Sequence, residues 1–358
     1  YCSAIMSHRE MNMSSDMRAL QFGSYNFAGS IIEMLMTLIH GGCICIPSEE
    51  ERGSGLAKAI RKLDANWTFL TSTVLANLSP EDVPCLKTIC VGGEPIKSAQ
   101  IKQWSAKVHL RQTYGSAEQS GVISSARLTE ASSVNDVGKP NRERVWLVDA
   151  TDTDRLAPIG IPGEIIVEGP VVGREYIGQP EKSAIAFIRT PRWRAEFGLL
   201  KPASRFYKTG DLAVYKEDGT MQLLGRKDTQ IKLRGQRIEV GEVEHHAKLA
   251  TPDVLEVAVE LTTTADSKRG PELVGFLVLR DGPQSPEEGY SDSVSMVIRR
   301  VQAKLESVLP YYMIPSLLVP IAALPLTASR KTDRMKLRQM GPSLSTQQLK
   351  ALRLAASD

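Results

Sequence analysis

Residues 206–212 read Phe-Tyr-Lys-Thr-Gly-Asp-Leu, and residues 223–246 read Leu-Leu-Gly-Arg-Lys-Asp-Thr-Gln-Ile-Lys-Leu-Arg-Gly-Gln-Arg-Ile-Glu-Val-Gly-Glu-Val-Glu-His-His. In the first stretch Asp211 follows a glycine between two β-rich runs. A carboxylate there can accept hydrogen bonds from both hydroxyls of a vicinal diol, which a neutral side chain does less well. An ordinary hairpin turn explains the same letters. In the second stretch charge alternates with apolar residues, which a solvated strand also does. Two features stand against that simpler reading. Asp228 lies where the texture of the chain changes, and Gly235 falls in mid-run, where glycine weakens a strand unless close backbone approach is required.

Upstream, short apolar runs alternate with helical periodicity. Residues 30–40 (SIIEMLMTLIH) and 55–63 (GLAKAIRKL) read as helices, and CICIP at 43–47, Trp67–Leu70 and Thr88–Val91 as buried strands. That alternation predicts a layered α/β sheet. From about 138 to 226, strand-like runs cut by Gly and Pro (RVWLVD, GEIIVEG, FYKTGDL, MQLLG) predict a β-rich part, barrel-like or rich in hairpins. Beyond 228 the pattern is compact α+β, with strands in EVAVELTT and ELVGFLVL and a long helix from about 292 to 308. The expected fold is thus α/β and α+β: a partial large N-terminal subdomain over 1–227, a small C-terminal subdomain over 228–340 across a hinge, and a tail or linker over 341–358.

The 358 residues allow two or three domains, and 42% hydrophobic with 24% charged residues excludes wholesale disorder. Lys plus Arg is 44 against 41 Asp plus Glu, a net charge of +3, too even to make nucleic acid or an anionic membrane the main partner. No apolar stretch reaches the roughly 18 residues that cross a bilayer. Cys2, Cys43, Cys45, Cys85 and Cys90 are scattered through mostly apolar runs without metal-site spacing, and are expected to be reduced core cysteines of a cytoplasmic protein. The opening Tyr1-Cys2-Ser3-Ala4 carries neither initiator methionine nor signal peptide, so the chain reads as the inside of something longer.

Two more segments carry chemistry. Thr113-Tyr114-Gly115-Ser116-Ala117-Glu118 places an aromatic ring and a carboxylate after the short strand Val108–Leu110, at the sheet edge where α/β folds take ligands; an ordinary loop is the alternative. Leu324 to Arg334 is a polar, basic loop whose Lys331 suits a phosphate or carboxylate, or is a surface cation only.

Taken together, 206–212, 223–246 and Gly163-Glu164-Ile165-Ile166-Val167-Glu168-Gly169-Pro170 resemble the adenylation domains of nonribosomal peptide synthetases, within the adenylate-forming (acyl-CoA synthetase and luciferase-like) superfamily. His40-Gly41-Gly42-Cys43 and Pro47-Ser48-Glu49-Glu50 are similar to fungal members. The resemblance runs over essentially the whole chain. It implies condensation of a carboxylic acid with ATP to an acyl-adenylate, then transfer to the phosphopantetheine thiol of a carrier domain among neighbouring synthetase modules. It further implies that Tyr114 stacks on adenine, with Gly92, Gly93 and Glu94 lining its pocket, and that Asp211, supported by Arg226, takes the ribose hydroxyls. Glu118 then holds Mg2+, a hard cation that wants oxygen ligands. Lys331 bridges the acid and the α-phosphate, Asp228 is the hinge, and Gly235 lets backbone approach the pantetheine arm.

Two departures from the family pattern matter. Its Gly/Ser/Thr-rich phosphate loop lies upstream of the segment matching Tyr1–Ala4, so the chain is expected to be about the last two-thirds of such a domain and a poor catalyst alone. In the acid pocket, Phe27-Ala28-Gly29-Ser30-Ile31-Ile32-Glu33 puts Ala28 where members that activate α-amino acids carry an Asp against the substrate ammonium. A buried ammonium without a counter-ion costs several kcal/mol. The remaining pocket positions by resemblance are Gly29, Ile32, Phe69, Cys90, Gly92, Thr113, Gly121 and Val122, an uncharged set that suits a flat ring. Anthranilate, whose aryl amine is neutral, or another aryl or 2-hydroxy acid is therefore the expected substrate. The competing readings are a catalytically incompetent fragment or degenerate scaffold module, and a free-standing acyl-CoA synthetase.

Overall fold

The computed structural model describes residues 11–141, 144–197, 204–227, 230–265, 270–280, 290–326 and 332–356. Its internal contacts divide the chain into two units, Tyr1–Asp228 and Thr229–Asp358.

The first unit begins with five parallel strands: β1 (Arg18–Leu20), β2 (Cys43–Cys45), β3 (Trp67–Leu70), β4 (Thr88–Gly92) and β5 (His109–Ser116), in spatial order β2-β1-β3-β4-β5. Every residue of β3 and β4 is buried, as continuous apolar runs in a parallel sheet require. Ile60, Ile101 and Trp104, from helices Leu56–Lys62 and Ser98–Trp104, pack with Leu70, Ile89 and Val91. Beyond β5 the sheet turns antiparallel through β6 (Gly121–Arg127) and β7 (Asp136–Pro140).

The β-rich part is not a closed barrel. Strands β8 (Arg144–Val148), β9 (Gly163–Gly169), β10 (Phe187–Ile188), β11 (Arg205–Tyr215) and β12 (Met221–Arg226) continue the same twelve-stranded sheet, running on as β7-β12-β11-β9-β8 with β10 beside β11. The link is β7, which pairs with β6 through Ser124↔Pro140 and with β12 through Met221↔Gly138. Among the described residues both sheet ends stay open, because β2 and β8 each have one strand neighbour there.

In the second unit, β13 (Gln230–Leu233) and β14 (Gln236–Glu239) form a hairpin whose two loop residues, Arg234 and Gly235, have φ of 52° and 78°. Two left-handed residues make the tight turn that matches strand twist, which accounts for the mid-run glycine. Strands β15 (Val254–Thr262), β16 (Glu272–Leu279) and β17 (Leu317–Ile321) form a second sheet. Helix Asp292–Val308, capped by Ser291, buries Val294, Ile298, Val301 and Leu305 against Leu273 and Leu277. The expected tail is helical instead. Thr346–Ala356 forms a helix after Arg334–Ser343, and Leu349 and Leu352, three apart on one face, cover Val274, Phe276 and Val319 of β16 and β17.

Of the cysteines, Cys45 and Cys90 are buried and Cys85 is half-buried, but Cys43 is exposed on edge strand β2, contrary to a core role. Cys2 lies outside the described residues. Burial pushes the Cys45 thiol up to about 11 and that of Cys90 to about 12, which keeps both protonated and unreactive. No described helix is long and apolar enough to cross a membrane.

Candidate active site

The carboxyl ends of β3, β4 and β5 meet where the sheet changes from parallel to antiparallel, and register brings the candidate residues together there. Phe69 of β3 lies opposite Cys90 of β4, and Gly92 opposite Thr113 of β5. Ile32, Phe69, Cys90 and Val122 belong to one apolar cluster, with Phe27 packed against it and its ring 6.0 Å from that of Phe69. Any β-carbon at Gly92 would lie 2.6 Å from the Phe69 ring and against the Thr113 hydroxyl, so only glycine leaves this floor open. A β-carbon at Gly29 would lie 2.6 Å from the Phe27 ring and 3.1 Å from that of Phe69. Gly121 opens β6 beside Val122, opposite Ser116. Thr113 donates its hydroxyl to the carbonyl of Val91 at 3.1 Å.

Ala28 is half-buried at the start of the helix that carries Ile32. The acidic residue of that helix, Glu33, does not face the cluster as a counter-ion. Its carboxyl accepts the backbone N–H groups of Phe22 (3.2 Å) and Gly23 (3.0 and 3.2 Å) and the Gln21 amide (3.3 Å), tying the helix to the loop after β1. Burial pushes its pKa from 4.5 up to about 8, against the lowering effect of those bonds and of Arg52. The folded chain therefore holds this proton where the unfolded chain has lost it. Stability contributed by Glu33 is full below about 4.5 and is lost as pH rises through about 8. The melting temperature is expected to fall across that window, and Glu33→Gln to flatten the fall; identical profiles for the two proteins contradict this.

The second group of residues surrounds Asp211. Strand β5 is longer than Val108–Leu110 and runs through Tyr114, while β11 runs straight through Asp211. Asp211 is therefore not in a hairpin turn; its stretch is an irregularity in β11, where the pairing with β9 slips between Lys208 and Leu212. Tyr114 donates its phenol to Asp211 Oδ2 at 2.6 Å, and Arg226, opposite Asp211 on β12, donates Nη1 to Oδ1 at 3.0 Å. Thr209 locks the stretch. Its hydroxyl donates to the carbonyl of Ile165 at 3.1 Å and accepts the Asp211 N–H at 3.1 Å, and its carbonyl takes Arg226 Nη1 at 2.9 Å. Burial, then the Asp211 charge, raise the Tyr114 phenol well above its usual range, so it remains a donor.

Glu118 follows β5 in a short 3-10 turn, half-buried, with Oε1 accepting the phenol of Tyr176 at 2.8 Å. Glu94 turns to the start of the neighbouring helix, where Oε2 accepts the N–H and hydroxyl of Thr73 at 3.1 and 2.7 Å. Gly93, next to Glu94 in sequence, has φ 81° and faces the Phe27 ring. Asp228 and Lys331 lie outside the described residues, and Gly235 belongs to the second unit. Sequence reasoning missed Thr209 and Tyr176. A threonine two residues before an aspartate is a readable local signal, whereas the Tyr176–Glu118 contact spans 58 residues and carries none.

Comparison with known proteins bears on the family and the fold. The family described as AMP-binding enzyme matches residues 1–177. The D-lysergyl-peptide-synthetase subunit 2 of Epichloe festucae var. lolii is 38% identical over 98% of this chain and 27% of its own length. The Vibrio cholerae adenylation domain AlmE, solved in complex with glycyl-adenosine-5'-phosphate, aligns with a TM-score of 0.74 at 20% identity, over 95% of this chain and 61% of that one. Holo-PA1221, an NRPS protein containing adenylation and PCP domains, aligns at 0.70 and 22% identity, over 91% and 53%. At such identities the solved structures bear on the fold alone. The chain belongs to the AMP-binding, adenylate-forming ligases, a family that uses ATP. Within them it is an adenylation-domain sequence of the nonribosomal peptide synthetase type, similar to fungal members, and it spans about a quarter of the synthetase subunit named above.

Proposed function

We propose that the chain activates a carboxylic acid as its acyl-adenylate and passes the acyl group to a carrier-domain phosphopantetheine thiol, and that the acid is anthranilate or another aryl or 2-hydroxy acid. The observation that carries the substrate reading is the neutral pocket. Ala28 opens the helix that sends Ile32 into a cluster with Phe69, Cys90 and Val122, against which Phe27 packs, and Glu33 on the same helix is occupied by the backbone of Phe22 and Gly23. An α-ammonium would be desolvated there without a carboxylate. A neutral aryl amine or a hydroxyl meets no such cost.

In this reading Tyr114 faces adenine with Gly92, Gly93 and Glu94 around it, and Asp211 takes the ribose diol. Lys331 offsets the negative charge gathered as two anions are brought into contact. The unit boundary between Asp228 and Thr229 supports Asp228 as the hinge, and the Gly235 turn is a place for backbone to meet the pantetheine arm. For Mg2+ the donor set fits. The ion binds through one or two carboxylates plus phosphates and water, and Glu118 supplies one carboxylate fixed by Tyr176. When bound, the ion would neutralise phosphate charge; Glu118 would be its carboxylate ligand, and Tyr176 holds that carboxylate in place.

The test is acid-dependent pyrophosphate exchange by the chain extended upstream to carry the phosphate loop, with anthranilate, other aryl acids, 2-hydroxy acids and α-amino acids, then acyl transfer to holo-carrier protein or coenzyme A. Exchange with an aryl or 2-hydroxy acid and loading of the carrier are expected, and Lys331→Ala is expected to lower exchange at least about tenfold. Exchange unchanged by that substitution removes Lys331 from the reaction. Loading of coenzyme A alone favours a free-standing acyl-CoA synthetase.

A further inference from the structure

Tyr114 and Asp211 are 97 residues apart, and their strands are not neighbours: β6, β7 and β12 lie between β5 and β11 in the sheet. The sheet curls enough for the phenol to meet the carboxylate, a contact that strand pairing alone does not produce. The result is a carboxylate held from two sides, Oδ2 by the Tyr114 hydroxyl at 2.6 Å and Oδ1 by Arg226 at 3.0 Å. An ionised carboxylate offers about four lone-pair positions, so these two bonds leave about two for a ligand.

We infer that the Tyr114 hydroxyl, apart from any role of its ring, is a positioning group that keeps Asp211 turned toward a vicinal diol and so sets the preference for ribose over deoxyribose nucleotides. This rests on the reading that Asp211 receives the ribose hydroxyls. The alternative partner of the carboxylate is Arg226. A guanidinium and a carboxylate favour two parallel hydrogen bonds, and a carboxylate free to rotate closes onto that fork. The phenol prevents the rotation by occupying Oδ2, while Arg226 Nη1 is shared with the Thr209 carbonyl. Removing the hydroxyl leaves the ring in place among Ile123, Val137, Ile165 and Tyr207 but releases the carboxylate.

The test is calorimetric binding of AMP, 2'-deoxy-AMP and 3'-deoxy-AMP to the wild-type chain, Tyr114→Phe and Asp211→Asn. The wild type is expected to bind AMP about tenfold more tightly than either deoxy nucleotide, and Asp211→Asn to bind all three alike. Tyr114→Phe is expected to bring the ratio to within about threefold, mainly by weakening AMP. Incorporating 4-aminophenylalanine at 114, which restores a donor at the same place, is expected to recover the ratio. A merely structural role for the hydroxyl lowers all three affinities together and leaves the ratio intact, which overturns the inference while the ribose reading stands. If the wild type does not distinguish the nucleotides, or does not bind AMP, the ribose reading fails and the inference fails with it.

Discussion

Glu168→Ala is expected to destabilise the first unit by about 3–5 kcal/mol, the cost of breaking a buried ion pair by deleting one partner. Glu168 sits on β9 between Arg144 of β8 and Phe206 of β11 and is 2% exposed. Its Oε2 accepts Arg194 Nε at 2.8 Å and Trp146 Nε1 at 2.9 Å, and its Oε1 accepts Arg194 Nη2 at 3.2 Å and Arg144 Nη1 at 3.0 Å. Burial pushes this carboxyl's pKa up, but the bonds from Arg194 and Trp146 reverse that and hold it below its usual value. Its contribution is therefore present above the ordinary carboxylate range and is lost as pH falls through the lowered value. Arg194 is 1% exposed, so alanine at 168 leaves a desolvated guanidinium stripped of this carboxylate. Trp146 and Trp193, with ring centroids 4.8 Å apart, report on the spot directly. A urea midpoint followed by their fluorescence and shifted by less than about 1 kcal/mol contradicts the argument.

Ala28→Asp is expected to reverse the acid preference. It supplies the carboxylate that the α-ammonium of an amino acid needs, and it sets a charge beside a cluster suited to an uncharged ring. Because each 1.4 kcal/mol is tenfold and the missing counter-ion costs several, the ratio of aminoacyl to aryl binding is expected to rise about a hundredfold or more. Competitive binding of phenylalanyl and anthraniloyl adenylate mimics measures it. An unchanged ratio means that position 28 does not face the amine.

Where pattern is local, the sequence was readable. The parallel strands, the helix at 292–308 and the α+β texture after 228 all show in period and composition. The misreadings came from contacts that no window of residues contains. The barrel expected over 138–226 is part of one open sheet because β7 pairs on both edges, a fact of register rather than composition. Residues 346–356 read as a tail or linker although Leu349 and Leu352 lie three apart; only the sheet beneath gives that spacing its meaning. In the site, Asp211 and Arg226 stood in the quoted stretches, and cross-strand pairing joins them. That Tyr114 bonds the same carboxylate from 97 residues away was not legible, and neither was the commitment of Glu94 to Thr73.

The central claim is that this pocket is built for an acid without an α-ammonium. Calorimetric binding of two non-hydrolysable acyl-adenylate mimics to the wild-type chain, one anthraniloyl and one phenylalanyl, tests it most directly. Both share the adenosine and phosphate portion, so their difference reports the acid pocket alone. Tighter binding of the anthraniloyl compound by at least about tenfold is the predicted result. Tighter binding of the phenylalanyl compound contradicts it.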